Sequence, residues 1–275
     1  NTLFEHPTVA ALARQVEELS ASERAHRPPL EPALDRTALS FAQQRLWFLQ
    51  QLDPDSVDYN LSLSTRLLGP LAAEALERAL RGCLARHDSL RSRIVDVDGR
   101  PENRFDAPSR VALGVIDLSE LSSDQRVVQV DRIRNADAHR PFDLAEGPLV
   151  RMHLLRCAEQ EHIAVLDQHH AVSDGWSVQI FQRELGTLYS AFARNEEPVL
   201  QPLPLQYADY ARWQRSWLAG DTLEAHLSYW RRQLDGAPAL SLPSDAPRQA
   251  LRGGRAGSHS RTMAAGRLRA LARAE

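Results

Sequence analysis

The spacing of apolar residues changes several times along the chain, and each change predicts an element. Over residues 1–20, Val9, Leu12, Ala13, Val16 and Leu19 recur at three and four, and Pro7 stands in the first turn; this is a short amphipathic helix. Residues 21–37 lose the period, are polar and carry Pro28, Pro29 and Pro32, so they read as an interdomain linker. Periodicity resumes at Ser40. Ser40 and Gln43 form a capping-box pair ahead of Phe41, Leu46, Trp47 and Leu49, a helix that stops before Pro54. Residues 59–68 alternate, with Leu61, Leu63, Thr65 and Leu67 on one side, as a half-buried strand does before Gly69-Pro70. Helical spacing returns over 72–87 with Leu76, Leu80, Cys83 and Leu84 inward, and Ile94, Val95 and Val97 then run into the hairpin signal Asp98-Gly99.

The second half continues the alternation of strand and helix. Residues 111–118 read as an apolar strand, and Ser122 with Gln125 caps a helix reaching about His139. A strand over 149–156 pairs with one over 163–170 across a short polar turn. From Trp176 a helix begins whose inner stripe is Trp176, Ile180, Phe181, Leu185, Leu188, Tyr189 and Phe192. Residues 223–234 predict another helix, carrying Tyr229 and Trp230; a long irregular crossing follows Gly236, then a strand over 258–263 and a helix start over 268–274. Strands interleaved with helices place the chain in the α/β class.

The stretch 162–178 concentrates the chemistry. His169 and His170 stand at a strand's end, residues 171–174 turn, and Gly175 offers backbone freedom where the direction changes. Strand ends and the loops after them are where α/β proteins place function. Neighbours on a strand point to opposite faces, so the two histidines cannot both face one ligand. One faces a cavity and the other is packed or hydrogen-bonded inside. That argues against a metal site, which needs convergent ligands.

Composition narrows the picture. A chain of 275 residues, 43% hydrophobic and 25% charged, can bury a large core. A net charge of −3 gives no reason to expect a nucleic-acid partner. All 33 basic residues are Arg, which reads as the bias of a GC-rich genome and carries no mechanism. Cys83 and Cys157 are too few for a disulfide framework and fit a reducing cytoplasm, and Cys83 reads as a small core residue. No apolar run approaches ~18 residues and no signal peptide precedes the first helix, so no membrane is expected. The sequence begins with Asn, as an internal piece of a longer chain would. It holds no phosphate-cradling glycine loop, nucleophile elbow or zinc spacing.

His169-His170-Ala171-Val172-Ser173-Asp174-Gly175 resembles the HHxxxDG signature of the condensation domains of nonribosomal peptide synthetases, whose shorter HxxxD core is shared with chloramphenicol acetyltransferase. LSFAQQRLWFLQQL (39–52), RHDSLRSRI (86–94), PFDLAEGPLVR (141–151) and QYADYARWQ (206–214) resemble further motifs of that family in the same order. LFEHPTVAALA (3–13) is similar to the last helix of a carrier domain. The resemblance implies a chloramphenicol acetyltransferase-like two-layer α/β sandwich, the N-terminal lobe of a two-lobed domain. It divides the chain into a carrier helix (1–20), a linker (21–37), the first lobe (38–245), and a crossing with an incomplete second lobe (246–275). Because that lobe is only begun, residues 1–275 alone are expected not to condense loaded carriers.

The activity implied is aminolysis of a thioester, an acyltransferase reaction between substrates held on phosphopantetheine arms of upstream and downstream carrier domains, with an adenylation domain as neighbour. No cofactor is bound intrinsically and no metal is implied. His170 is implied as the catalytic imidazole, either abstracting a proton from the amine or positioning it. His169 is assigned to packing and Ser173 to the turn. The family makes Asp174 structural, ion-paired to Arg91, with Arg93 as the alternative. Gly175 either admits the pantetheine arm or is an ordinary turn glycine. Chain order implies an L-configured donor. Two other readings share the fold: a free-standing acyltransferase using coenzyme A thioesters, and a non-catalytic docking module.

Overall fold

The computed structural model describes residues 8–11, 13–15 and 27–238 and divides into two units, Asn1–His226 and Leu227–Glu275. In the first unit, residues 9–11 and 13–15 are helical, and Thr8 Oγ1 accepts the Ala11 amide at 3.2 Å, the capping interaction that starts a helix. Pro7, Leu12, Val16 and Leu19 lie outside the described residues, as do the strand expected over 258–263 and the helix start over 268–274.

The elements then follow as helix α1 (Phe41–Leu52), strand β1 (Asn60–Leu68), helix α2 (Ala73–Arg86), strands β2 (Ser92–Val97) and β3 (Arg100–Phe105), and strand β4 (Leu113–Asp117). Helix α3 (Ser123–Ala138), strands β5 (Val150–Ala158) and β6 (Glu161–His169), and helices α4 (Gly175–Ala193), α5 (Tyr207–Trp217) and α6 (Gly220–Leu234) complete them. Both expected capping boxes are formed, Ser40 with Gln43 and Ser122 with Gln125. The β2–β3 hairpin turns through Asp98 and Gly99, both at positive φ, as its two-residue loop requires.

The main sheet has the order β1-β6-β5-β4, with β1, β6 and β5 antiparallel and β4 parallel to β5. Alternation along β5 sends Val150, Met152 and Leu154 to the face covered by α2 and α4, where they meet Leu76, Leu80, Leu84, Phe181 and Leu188. Leu155 and Cys157 point the other way, into a smaller cluster with Val130 and Ile133 of α3. Fully burying a leucine is worth about 1.5–3 kcal/mol, so the larger cluster dominates stability and anchors β6, the strand that carries the histidines. Arg86 and His87 of the α2 end both reach the buried Glu184 of α4, at 3.0 and 2.6 Å, a polar clasp that the apolar pattern did not foretell. Trp176 departs from the expected inner stripe: it is 76% exposed on the first turn of α4. In the second unit, the described residues hold the end of α6, where Tyr229 and Trp230 are exposed and meet edge to face. Among the described residues no helix is long and apolar enough to cross a membrane.

Candidate active site

Strand β6 ends at His169, and the two histidines separate as alternation requires. His169 is 5% exposed and packs between the rings of Tyr59 and Phe142. Its Nδ1 accepts the Ala171 amide at 3.0 Å, so the proton of the neutral ring sits on Nε2. Burial, with a smaller contribution from His170, pushes its pKa down to about 4, so the ring is neutral at physiological pH. His170 is the first residue of the turn. Its amide is fixed by the Tyr59 carbonyl at 2.8 Å and its side chain is exposed.

His170 opens into a cleft of about 260 Å³ whose walls include Arg45 and Leu46 of α1, Tyr59, Ser89, Tyr207 of α5, and the motif turn through Asp174. A second cavity of about 200 Å³ lies against His169, and Leu46 and Tyr59 line both. The turn is held from α1. Gln43, 2% exposed, donates from Nε2 to the Ala171 carbonyl at 3.2 Å while its Oε1 accepts the Ser40 amide at 3.1 Å. Gln43 therefore supports the turn, and Arg45 lines the cleft.

Asp174 caps α4. Its Oδ1 accepts the backbone N–H and the hydroxyl of Ser177, each at 2.7 Å. Those bonds, and less strongly His170, hold its carboxyl below the usual range, so it is ionised beside the cleft. The expected ion pair with Arg91 is not formed. Arg91 instead binds the carboxylate of Asp88 and the carbonyl of Asp106, and the alternative, Arg93, binds the Asp106 carboxylate at 3.1 Å. Asp174 is exposed at the cleft rim, where water and a helix N-terminus stabilise its charge without a cation. Gly175 follows directly in the chain. It is the first residue of α4, does not adopt a positive φ, and a Cβ there would meet nothing within 4 Å. Its freedom is not needed by this chain's own backbone; the space above it is open.

Nothing in the sequence singles out Tyr207. Its hydroxyl donates to Ser40 Oγ at 3.0 Å, and burial pushes the phenol pKa up, so it remains a neutral hydroxyl on the cleft wall. The motif QYADYARWQ marked the segment, but nothing in its spacing told which residue faces the site. Neither cysteine is placed as a nucleophile, since burial pushes the Cys83 thiol up to about 12 and raises that of Cys157. Ser173 is buried, and no imidazole hydrogen bond activates its hydroxyl. Among the described residues no cluster of three or more metal-ligating side chains occurs. One exposed imidazole, beside a carboxylate and a phenol, is suited to binding and moving a single proton.

The chain matches the family model "Condensation domain" over residues 33–274. It is 45% identical over 273 residues to one of the linear gramicidin synthase proteins of Brevibacillus parabrevis, a match that takes in 98% of this chain and 4% of that protein. Malpinin synthetase of Mortierella alpina is 42% identical over 253 residues, covering 91% of this chain and 3% of the relative. Among solved structures, the teicoplanin X-domain in complex with OxyB aligns with a TM-score of 0.70 at 28% identity, over 82% of this chain and 50% of that one. The starter condensation domain of rhizomide synthetase aligns with a TM-score of 0.66 at 26% identity, over 74% of this chain and 48% of that one. The chain thus spans a few per cent of these two synthetases and about half of each solved domain. With the chloramphenicol acetyltransferase-like α/β lobe and the HHxxxDG turn in place, these matches establish that the chain belongs to the condensation-domain family.

Proposed function

We propose that this chain serves a nonribosomal peptide synthetase by forming an amide between two carrier-bound substrates. The amine nitrogen of the downstream aminoacyl group attacks the carbonyl carbon of the upstream thioester. The C–N bond forms, the C–S bond breaks, and the proton lost by nitrogen leaves with the pantetheine thiol. An α-amine with pKa near 8 is a competent nucleophile once neutral, so the protein need only orient it and accept its proton. His170 takes that role from the cleft wall, with His169 buried beneath it and fixed as a neutral ring. Phosphopantetheine arms enter as substrate carriers. The upstream and downstream carriers and an adenylation domain are the partners, and the donor is L-configured.

The observation that carries this reading is the split of the histidine pair, one side chain exposed in the cleft and one buried at 5% exposure. In the intact synthetase, His170→Ala should lower condensation of loaded carriers by about 10²–10⁴-fold with the melting temperature unchanged. A folded variant condensing at the wild-type rate refutes it. The likeness to the X-domain, solved in complex with a second protein, favours a second reading as a docking module. That reading predicts no change in the same assay.

A further inference from the structure

Residues 21–37 lack an apolar period and read as an interdomain linker, yet in its described part, residues 27–37, several residues are bound to the lobe. The Pro28 carbonyl accepts the indole N–H of Trp213 at 2.7 Å, and the Arg27 guanidinium lies 4.6 Å over the ring of Trp217. Further along, the Ala33 amide donates to Asp209 Oδ1 at 2.9 Å. Asp209 is 1% exposed; its other oxygen accepts the Gln206 amide at 2.7 Å, and its nearest cation is Arg36, with Nε at 3.5 Å. Arg36 also pairs with Asp88 at 2.8 Å, while Asn103 of β3 donates from its backbone and side chain to the Thr37 and Ala38 carbonyls at 2.8 and 2.9 Å. A buried carboxylate is costly unless paired, and here its cation comes from the segment itself. These contacts are polar or made through charged and aromatic side chains, and several end on the segment's backbone, which is why no hydrophobic pattern announces them.

Beside Asp88 and Asn103, the receptor is α5. Tyr207, Tyr210, Trp213 and Trp217 follow at three and four, with centroid spacings of 5.6, 5.9 and 4.9 Å. The same helix meets the cleft at its start through Tyr207, whose hydroxyl binds Ser40, the N-cap of α1 that directly follows residue 39. We infer that residues 27–39 are a strap docked on α5, and that docking fixes the point at which the preceding domain's chain arrives relative to the His170 cleft. The link to a carrier rests on the proposed function; the docking does not.

Two measurements separate them. In the intact wild-type protein, hydrogen exchange at the Ala33 amide should be about 100-fold slower than in an unstructured chain, and Trp213→Ala should remove at least tenfold of that protection. Trp213→Phe, which keeps an aromatic ring but removes the N–H that the Pro28 carbonyl accepts, is the second variant, should Trp213→Ala fail to fold. Exchange at the unstructured rate in wild type overturns the strap. In condensation, the loosened variants should lose about tenfold in turnover with the upstream carrier attached, and keep the wild-type rate when the same loaded carrier is supplied detached. Undiminished turnover in the attached form overturns the positional role. A wild-type protein that is protected but inactive in both formats sinks the proposed function and leaves the docking standing.

Discussion

Replacing Gln43 by alanine should damage the site without touching the cleft chemistry. Gln43 is 2% exposed and its amide bridges two backbone groups that are themselves buried, the Ser40 amide and the Ala171 carbonyl. Removing it leaves a buried donor and a buried acceptor without partners, at about 1–3 kcal/mol each when water cannot reach them. It also breaks the capping box of α1, so the two costs overlap, and a total of about 2–4 kcal/mol is expected. For a lobe of this size that is a fall of about 6–12 °C in melting temperature. Gln43→Glu separates the two bonds. The carboxylate still accepts the Ser40 amide but presents an acceptor to the Ala171 carbonyl, so the cap survives and the motif turn loses its tie. Urea unfolding with an unchanged m-value measures both variants, and condensation under conditions where each is folded reports on the turn. Both should condense more slowly than wild type, because Ala171 follows His170 directly. An alanine variant within about 0.5 kcal/mol of wild type, the range of an ordinary surface change, would refute the claim that α1 holds the turn.

Asp174→Ala should cost about 0.5–2 kcal/mol, the worth of an N-cap, rather than the ~3–5 kcal/mol of a broken buried ion pair. Asp174→Ser should recover most of it in thermal melts, and a larger loss that serine does not restore would reinstate an arginine partner. His169 titrates near 4 in the folded protein and near 6.5 when unfolded, so between those values the unfolded chain binds the extra proton and stability falls as pH drops. Between pH 7 and pH 5 that is about 2 kcal/mol, read as the difference in urea unfolding between wild type and His169→Gln. A pH dependence identical in the two proteins would place the loss elsewhere.

By itself the sequence determined what short-range physics governs. The capping boxes at Ser40 and Ser122 and the hairpin at Asp98-Gly99 depend on residues within four positions of each other. Alternation sufficed to separate His169 from His170, since a strand must send neighbours to opposite sides. What tertiary structure alone decided involves partners distant along the chain or groups that carry no period. Asp174 could be read as one half of an ion pair until the fold set Arg91 on Asp88 and gave Asp174 the N–H groups of its own helix. Trp176 fits an apolar stripe at three and four, yet the fold leaves it exposed on the first turn of α4. Tyr207 enters the cleft, and residues 27–39 settle on α5, through bonds between side chains and distant backbone or side-chain groups. Such bonds are satisfied by many residue types at the backbone end, so they leave no hydrophobic period in the sequence; they exist once folding has brought β6, α1 and α5 together.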